Sequence, residues 1–185
     1  MSARRTFIVG VCFFVLVAIG VFYLSYKKQP VIAPDTPAIA TMTPEAAGAR
    51  TVPDGWREYQ NIAYRFSLLH PQGLEVKEYP EGGNALTLTF QNVKEQKGFQ
   101  IFIVPYEEPQ VSEERFKRDL PSGVRANLTN IIVDGATGAA FYSANTLLGE
   151  TREVWFIYGG FLYEVTTLKS LEMWLDSVMQ TWKFI

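Results

Sequence analysis

The sequence predicts an α+β domain in which helices flank an antiparallel β-sheet, preceded by one N-terminal transmembrane helix. Three observations predict this arrangement. Segments with the two-residue period of strands dominate residues 56–185, short amphipathic segments interrupt them, and a long uncharged apolar run precedes the whole. Tight-turn dipeptides between neighbouring strand segments favour antiparallel pairing over repeated parallel units.

The N-terminal apolar run, residues 6–24, contains no charge, Asn, Gln or Pro. About 20 such residues cross the hydrocarbon core of a bilayer, so we assign a cytoplasmic stub to 1–5 and a transmembrane helix to 6–26. The alternative, a cleaved signal peptide, has a shorter apolar core and small residues directly after it. Basic residues flank the run on both sides, and the short N terminus favours the topology with the remainder of the chain exported. We expect a single-pass protein of the cell membrane whose C-terminal domain is extracytoplasmic.

Residues 27–55 form a linker rich in Pro, Ala and Thr. This stretch holds five prolines and no aromatic residue. It therefore lacks the apolar surface that would offset the entropy of ordering it. Proline-rich segments of this kind are semi-extended spacers. We expect the linker to hold a domain of residues 56–185 away from the membrane surface.

The first strands are predicted from alternation. Leu86–Phe90 follows a period of two and Phe99–Ile103 does so in part. A polar loop connects the two segments, so they are expected to be neighbours. Further on, Ile131–Val133 precedes Asp134-Gly135, a dipeptide suited to a tight turn, and a strand of small residues follows at 136–143.

The clearest hairpin joins 153–158 to 161–165. Gly159 and Gly160 separate the two segments, and both can adopt a positive φ without steric cost. Two helices complete the domain. Ser112 is expected to cap a helix that runs to Leu120, with acidic residues in its first turn. Ser170 is expected to cap a second helix with an apolar stripe at 171, 174, 175 and 178.

Several short motifs resemble PsbP-like domains. The opening Tyr59-Gln60-Asn61, the strand Tyr64–Ser67 and then Pro71 follow one another at the spacing of that family, and the chain closes with a helix that runs into 181–184. The resemblance spans about residues 59–185. It implies an antiparallel sheet flanked by helices, as found in small anchored or exported bacterial proteins of no established activity. It supplies no functional residue.

Composition excludes several classes of function. One Cys excludes an intramolecular disulfide and every cysteine-cluster zinc or iron–sulfur site, and one His leaves a catalytic triad or multi-His metal centre without its usual partners. A net charge of −2 lacks the basic footprint of a nucleic-acid-binding protein. We therefore expect no cofactor, no metal site, no nucleic-acid partner and no enzymatic activity.

The candidate binding residues lie on the aromatic hairpin and at the single histidine. Phe156, Tyr158 and Tyr163 are core residues if helices cover both faces of the sheet, and they form a hydrophobic binding patch if one face is open. His70, which precedes Pro71, is either a turn residue or part of a site. We name these four residues as candidates for binding.

The leading functional interpretation is a non-catalytic module that binds a protein or a small ligand at the cell envelope. Two alternatives stay open at this point. The chain could be an accessory structural subunit whose membrane helix makes the contacts, or a carboxylate-dependent enzyme. An open aromatic sheet face favours binding, whereas a cleft with clustered carboxylates of raised pKa favours the enzyme.

Overall fold

The computed structural model describes residues 50–120, 122–145 and 148–185. The predicted stub 1–5, the transmembrane helix 6–26 and the linker as far as residue 49 lie outside the described residues. Within the described ranges, no helix combines the length and the hydropathy that crossing a membrane requires.

The described chain is built mainly from β-strands, with two short α-helices between them. The strands are β1 Trp56–Asn61, β2 Phe66–Pro71, β3 Glu75–Glu81, β4 Ala85–Asn92, β5 Lys97–Pro105, β6 Ala126–Val133, β7 Ala136–Asn145, β8 Gly149–Tyr158, β9 Phe161–Leu168 and β10 Lys183–Phe184. The helices are α1 Glu113–Asp119 and α2 Glu172–Met179. Short 3₁₀ turns occupy Gly82–Asn84 and Lys169–Leu171.

All strand pairs in the described ranges are antiparallel and form two sheets. The large sheet has seven strands in the order β3-β4-β5-β9-β8-β7-β6, and the small sheet has three in the order β1-β2-β10. The predicted α+β class with an antiparallel sheet flanked by helices is confirmed for this part of the chain.

The tight turns lie where the sequence predicts them. Gly159 and Gly160 have φ of 60° and 84°, and β8 and β9 pair directly on either side of them. Asp134 and Gly135 have φ of 43° and 88°, and Val133 pairs with Ala136 across the turn. Two positive φ values in succession match the twist of an antiparallel hairpin, which is why both turns fix the register of their strands.

Both faces of the large sheet carry a cluster of buried side chains. On one, the α2 face, the small sheet and α2 cover a core that includes Phe66, Phe156 and Trp182. On the other, the α1 face, α1 packs over a smaller cluster that includes Phe141 and Trp155. Neighbouring residues of β8 therefore point to opposite faces, as the alternation predicts.

Two predictions about local structure need correction. Ser170 does not cap α2: it lies inside the 3₁₀ turn, Leu171 precedes the helix, and no side chain caps it. The chain passes from β9, which ends at Leu168, directly into that turn, and 3₁₀ turns are frequent at the start of α-helices. In addition, β1, β3 and β10 were not predicted as strands. They lie at sheet edges, are short or charged, and show weak alternation.

Candidate functional site

A groove of about 860 Å³ lies on the α1 face of the large sheet. One wall consists of residues 109–111, which precede α1, and of Phe116 within α1. The opposite wall consists of residues from β6, β7 and β8. We call it the α1 groove. Its lining comprises Pro109, Gln110, Val111, Phe116, Leu128, Asn130, Ile131, Ile132, Thr137, Gly138, Ala139, Trp155, Phe156 and Ile157.

Helix α1 is held in place by its cap and by aromatic packing. The Ser112 hydroxyl accepts a hydrogen bond from the backbone N–H of Arg115 at 3.2 Å, which satisfies one of the free donors at the helix start. Phe116 stacks on Trp155 with 5.0 Å between ring centroids and meets Phe141 edge-on at 5.9 Å. Because Trp155 is buried in the sheet, this stacking fixes one wall of the groove.

The loop before α1 is held by Tyr106. Its backbone N–H donates to the carbonyl of Gly160 at 2.8 Å. Its hydroxyl accepts from the backbone N–H of Ser112 at 2.9 Å and donates to the carbonyl of Gln110 at 3.1 Å. The loop that forms the rim is therefore fastened to both the β8–β9 turn and the helix start.

The lining of the α1 groove is mainly apolar. Among its residues, Gln110, Asn130 and Thr137 are the polar ones, and none carries an ionisable side chain. On the β6 side the groove continues into Leu128 and Ile132, whose surfaces are 57% and 77% exposed. Exposed aliphatic side chains beside an apolar depression are typical of a surface that binds another apolar surface.

A buried ion cluster underlies α1. Arg115 contacts Asp119 on its own helix and donates to Glu164 of β9, with 2.9 Å from Nη2 to Oε1. All three side chains are nearly inaccessible to solvent. Burial, and after it the negative charge of the neighbouring Asp119, raise the pKa of Glu164 well above its ordinary value. The cluster therefore ties α1 to the sheet, and its environment favours the protonated form of Glu164.

A second buried carboxyl group, Glu153 of β8, lies on the same face. The hydroxyls of Thr151 and Thr166 donate to it at 2.7 and 2.6 Å, and the indole N–H of Trp155 lies 3.4 Å away. Burial raises the pKa of Glu153, and these hydrogen bonds offset part of that increase.

Both raised-pKa carboxyl groups are closed off from the groove. Glu153 and Glu164 are 4% and 6% exposed, and neither lines the α1 groove. They share the raised pKa expected of catalytic acids, but their side chains are buried and do not line this groove. Among the described residues, no three His, Cys, Asp or Glu side chains are grouped so that they could hold a metal ion.

The raised pKa of Glu153 predicts that stability depends on pH. The pKa of Glu153 is near 4.5 in the unfolded chain and higher in the folded domain. At a pH between these two pKa values, the folded state retains a proton that the unfolded state has lost. Stability should therefore fall as pH rises through this interval. We expect Glu153→Gln to flatten this fall, as measured by urea unfolding at a series of pH values. Identical pH profiles for the two proteins would contradict the assignment.

Of the four residues named from the sequence, Phe156, Tyr158 and Tyr163 pack on the α2 face of the large sheet, and His70 belongs to β2 of the small sheet. Phe156 also contributes to the lining of the α1 groove. Phe156 and Tyr163 have no exposed side-chain surface, and their rings stack at 5.1 Å inside the core. The Tyr163 hydroxyl donates to the carbonyl of Tyr64 at 2.6 Å, and burial raises the pKa of the phenol. Tyr158 remains 38% exposed and stacks on Phe184 at 3.6 Å.

The histidine is buried as well. His70 is 5% exposed, meets Phe90 edge-on at 5.2 Å, and has Nδ1 3.0 Å from the carbonyl of Pro71. Burial lowers the pKa of its imidazole. Of the four candidates, only Tyr158 therefore offers an open surface, and a binding role for the set stays a prediction.

The sequence analysis did not identify the α1 groove. One usable signal was present in β6, where Leu128, Asn130 and Ile132 alternate, so that two aliphatic side chains share one face. The other wall comes from a loop and a helix that are distant along the chain. No sequence pattern within either segment indicates that the two walls lie side by side.

Comparison with known proteins identifies the fold. No family model matches the sequence, and no curated protein matches it. The solution structure of cyanobacterial PsbP (CyanoP) from Synechocystis sp. PCC 6803 is similar, with a TM-score of 0.52 and 10% sequence identity. The match covers 77% of this chain and the whole of that one. The resemblance found in the sequence is confirmed at the level of structure: the domain has a PsbP-like fold.

Proposed function

We propose that the chain is a membrane-anchored, non-catalytic module that binds a partner protein through the α1 groove. The observation that carries this proposal is the apolar groove itself, bounded by a fixed helix on one side and by exposed Leu128 and Ile132 on the other. The PsbP-like fold is compatible with an accessory role of this kind.

A protein partner fits the lining better than a small molecule. A specific small-ligand site usually combines its apolar walls with a few converging polar or charged groups. Here the apolar surface extends out of the depression along β6, and the described lining offers amides and one hydroxyl but no charge. The centres of protein interfaces have this composition, apolar and depleted of charged residues.

Membrane anchoring is the second element of the proposal. It rests on the uncharged apolar run at 6–24 and on the proline-rich linker that follows it. We expect the full chain to stay in the membrane fraction after alkaline carbonate extraction. We expect protease added outside the cytoplasmic membrane to remove residues 56–185. Release of the chain by carbonate would contradict membrane anchoring. Protection of residues 56–185 from protease until the membrane is broken would contradict the proposed topology.

The binding proposal can be tested by photocrosslinking in native membranes. A photoreactive residue in place of Gln110, on the groove rim, should give a discrete adduct with a different protein. The same residue in place of Val93, which is 68% exposed in the β4–β5 turn, is the matched control and should give none. Equal adducts from both positions, or none from Gln110, would refute binding at the groove.

A further inference from the structure

The α1 groove has charged groups beside both of its ends, although its lining has none. We call the end beside the Asp134-Gly135 and Gly159-Gly160 turns the turn end. The opposite end, the β6 end, lies where β6 begins, because Ala126 pairs with Tyr142 near the far end of β7. The charges at the two ends differ in how the domain itself neutralises them, and this difference gives the groove a direction.

At the β6 end, an ion pair joins the two sides of the groove. Arg125, which directly precedes β6, donates to both carboxylate oxygens of Glu113 in α1, at 2.9 and 2.7 Å. Its guanidinium also lies over the ring of Phe116, 4.3 Å from the centroid, and Phe116 lines the groove. The positive charge at this end is therefore neutralised by a carboxylate of the same domain.

At the turn end, two exposed carboxylates directly precede the groove wall. Glu107 and Glu108 come before Pro109, the first residue of that wall. They follow Tyr106, whose backbone N–H donates to the carbonyl of Gly160 in the β8–β9 turn. Neither carboxylate forms an ion pair with a residue that the structure describes. Their negative charges are therefore not neutralised by a neighbouring cation of the described domain.

Tyr106 holds Glu108 close to the groove. Oε2 of Glu108 lies 3.2 Å from the Tyr106 hydroxyl. The same hydroxyl lies 3.1 Å from the carbonyl oxygen of Gln110, which lines the groove. Because the Tyr106 side chain is 9% exposed and its hydroxyl also binds the start of α1, this contact is held by the body of the domain. The carboxylate of Glu108 is thus positioned at the groove rim.

Other charged groups near the turn end are bonded within the domain or belong to its other face. Asp134, in the β6–β7 turn, is bonded by Nζ of Lys183 at 2.6 Å and by the backbone N–H of Phe184 at 2.8 Å. Arg65 directly precedes β2 of the small sheet, which covers the α2 face. A partner in the α1 groove therefore meets the carboxylates of Glu107 and Glu108 at this end.

We propose that the partner segment in the α1 groove carries a Lys or Arg side chain beside its apolar residues and directs it to Glu107 and Glu108. This inference rests on the proposed function and names the chemistry of the partner. A purely apolar segment would take water from both carboxylates without replacing it, which costs free energy. A basic side chain supplies the missing counter-charge. It also fixes the direction of the segment, because the cation at the β6 end is already paired.

Photocrosslinking from position 110 of the full chain, in native membranes, tests the charge requirement. Glu107→Gln combined with Glu108→Gln should reduce the adduct about tenfold, because both counter-charges are lost while the side-chain size is kept. Glu75→Gln combined with Glu95→Gln is the matched control. It changes the net charge equally and alters two side chains that are 60% exposed, in β3 and in the β4–β5 turn. An undiminished adduct from the first variant would overturn the inference.

The salt dependence of the adduct gives a second, independent result. Raising the ionic strength from about 0.1 M to about 1 M shortens the Debye length from about 10 Å to about 3 Å. The adduct of the chain with both carboxylates should decrease over this range, whereas that of the variant with Gln at both positions should change little. The same decrease in both proteins would overturn the inference.

Charge exchange with the captured segment completes the test. Replacing its basic residue with Glu should abolish the adduct, and Glu107→Lys combined with Glu108→Lys should restore it. A captured segment without a basic residue, or an exchange that restores nothing, would overturn the inference. An adduct that ignores all these substitutions leaves the proposed function intact, which fails only if position 110 captures nothing.

Discussion

Replacing Trp182 with alanine should lower the free energy of unfolding by about 3–5 kcal/mol. The indole is 1% exposed and stacks on Phe66 of β2, with 4.4 Å between ring centroids and planes 8° apart. It also meets Phe156 and Tyr163 of the large sheet edge-on at 5.0 and 5.6 Å. One side chain thus connects the two sheets, and its removal leaves a cavity between them.

This prediction is checked by urea unfolding of residues 50–185, followed by far-UV circular dichroism. Met173→Ala on α2 is the control: that side chain is 81% exposed, so its loss should change stability by about 0.5 kcal/mol or less. Trp182→Phe should cost less than Trp182→Ala, because it keeps a ring and removes an indole N–H that has no partner among the described residues. A loss below about 1 kcal/mol for Trp182→Ala would show that Trp182 does not connect the sheets.

Replacing Arg115 with alanine should cost a similar amount, about 3–5 kcal/mol, because it removes the buried guanidinium beside Asp119 and leaves the buried carboxyl group of Glu164 without its hydrogen-bond donor. Arg115 is the only described residue that bonds both Asp119 of α1 and Glu164 of β9. Its loss should loosen α1 from the sheet and open the wall of the α1 groove. Urea unfolding at pH 7 measures the cost, and hydrogen exchange of the α1 amides measures the loosening.

Two variants make the Arg115 prediction specific. Glu164→Gln keeps the size and the uncharged state of a protonated carboxyl group, the form that the raised pKa favours, so it should cost about 1 kcal/mol or less. The guanidinium of Arg118 bonds the other carboxylate oxygen of Asp119 at 3.2 Å, and its side chain is 54% exposed. Because the pair is open to solvent on this side, Arg118→Ala should also cost about 1 kcal/mol or less. If Glu164→Gln destabilises as strongly as Arg115→Ala, Glu164 is ionised in the folded domain.

The parts of the fold that the sequence predicts are those with local causes. Gly159-Gly160 and Asp134-Gly135 specify tight turns through backbone freedom, and each turn fixes the register of the strands beside it. Ser112 caps α1 through a contact three residues away. These features depend on neighbours in the chain and are therefore visible in the sequence.

The candidate site depends on contacts between distant residues. Arg115 and Glu164 are 49 positions apart, and nothing in either segment indicates the other. The sequence leaves the aromatic residues of the β8–β9 hairpin open as either core or binding surface, because the packing of Phe66 and Trp182 over Phe156 comes from distant parts of the chain. The open edge of β6 likewise follows from its position at the end of the sheet, because strand order is a property of the whole domain.

The central claim is that the α1 groove binds a partner protein, and blocking the groove tests it most directly. Thr137 lines the groove with an exposed side chain, and Thr137→Trp should fill the depression while leaving the β6 edge unchanged. In native membranes, with the photoreactive residue at position 110, the account predicts that Thr137→Trp abolishes the adduct with the partner protein. An adduct of undiminished yield from a stably folded Thr137→Trp protein would contradict it.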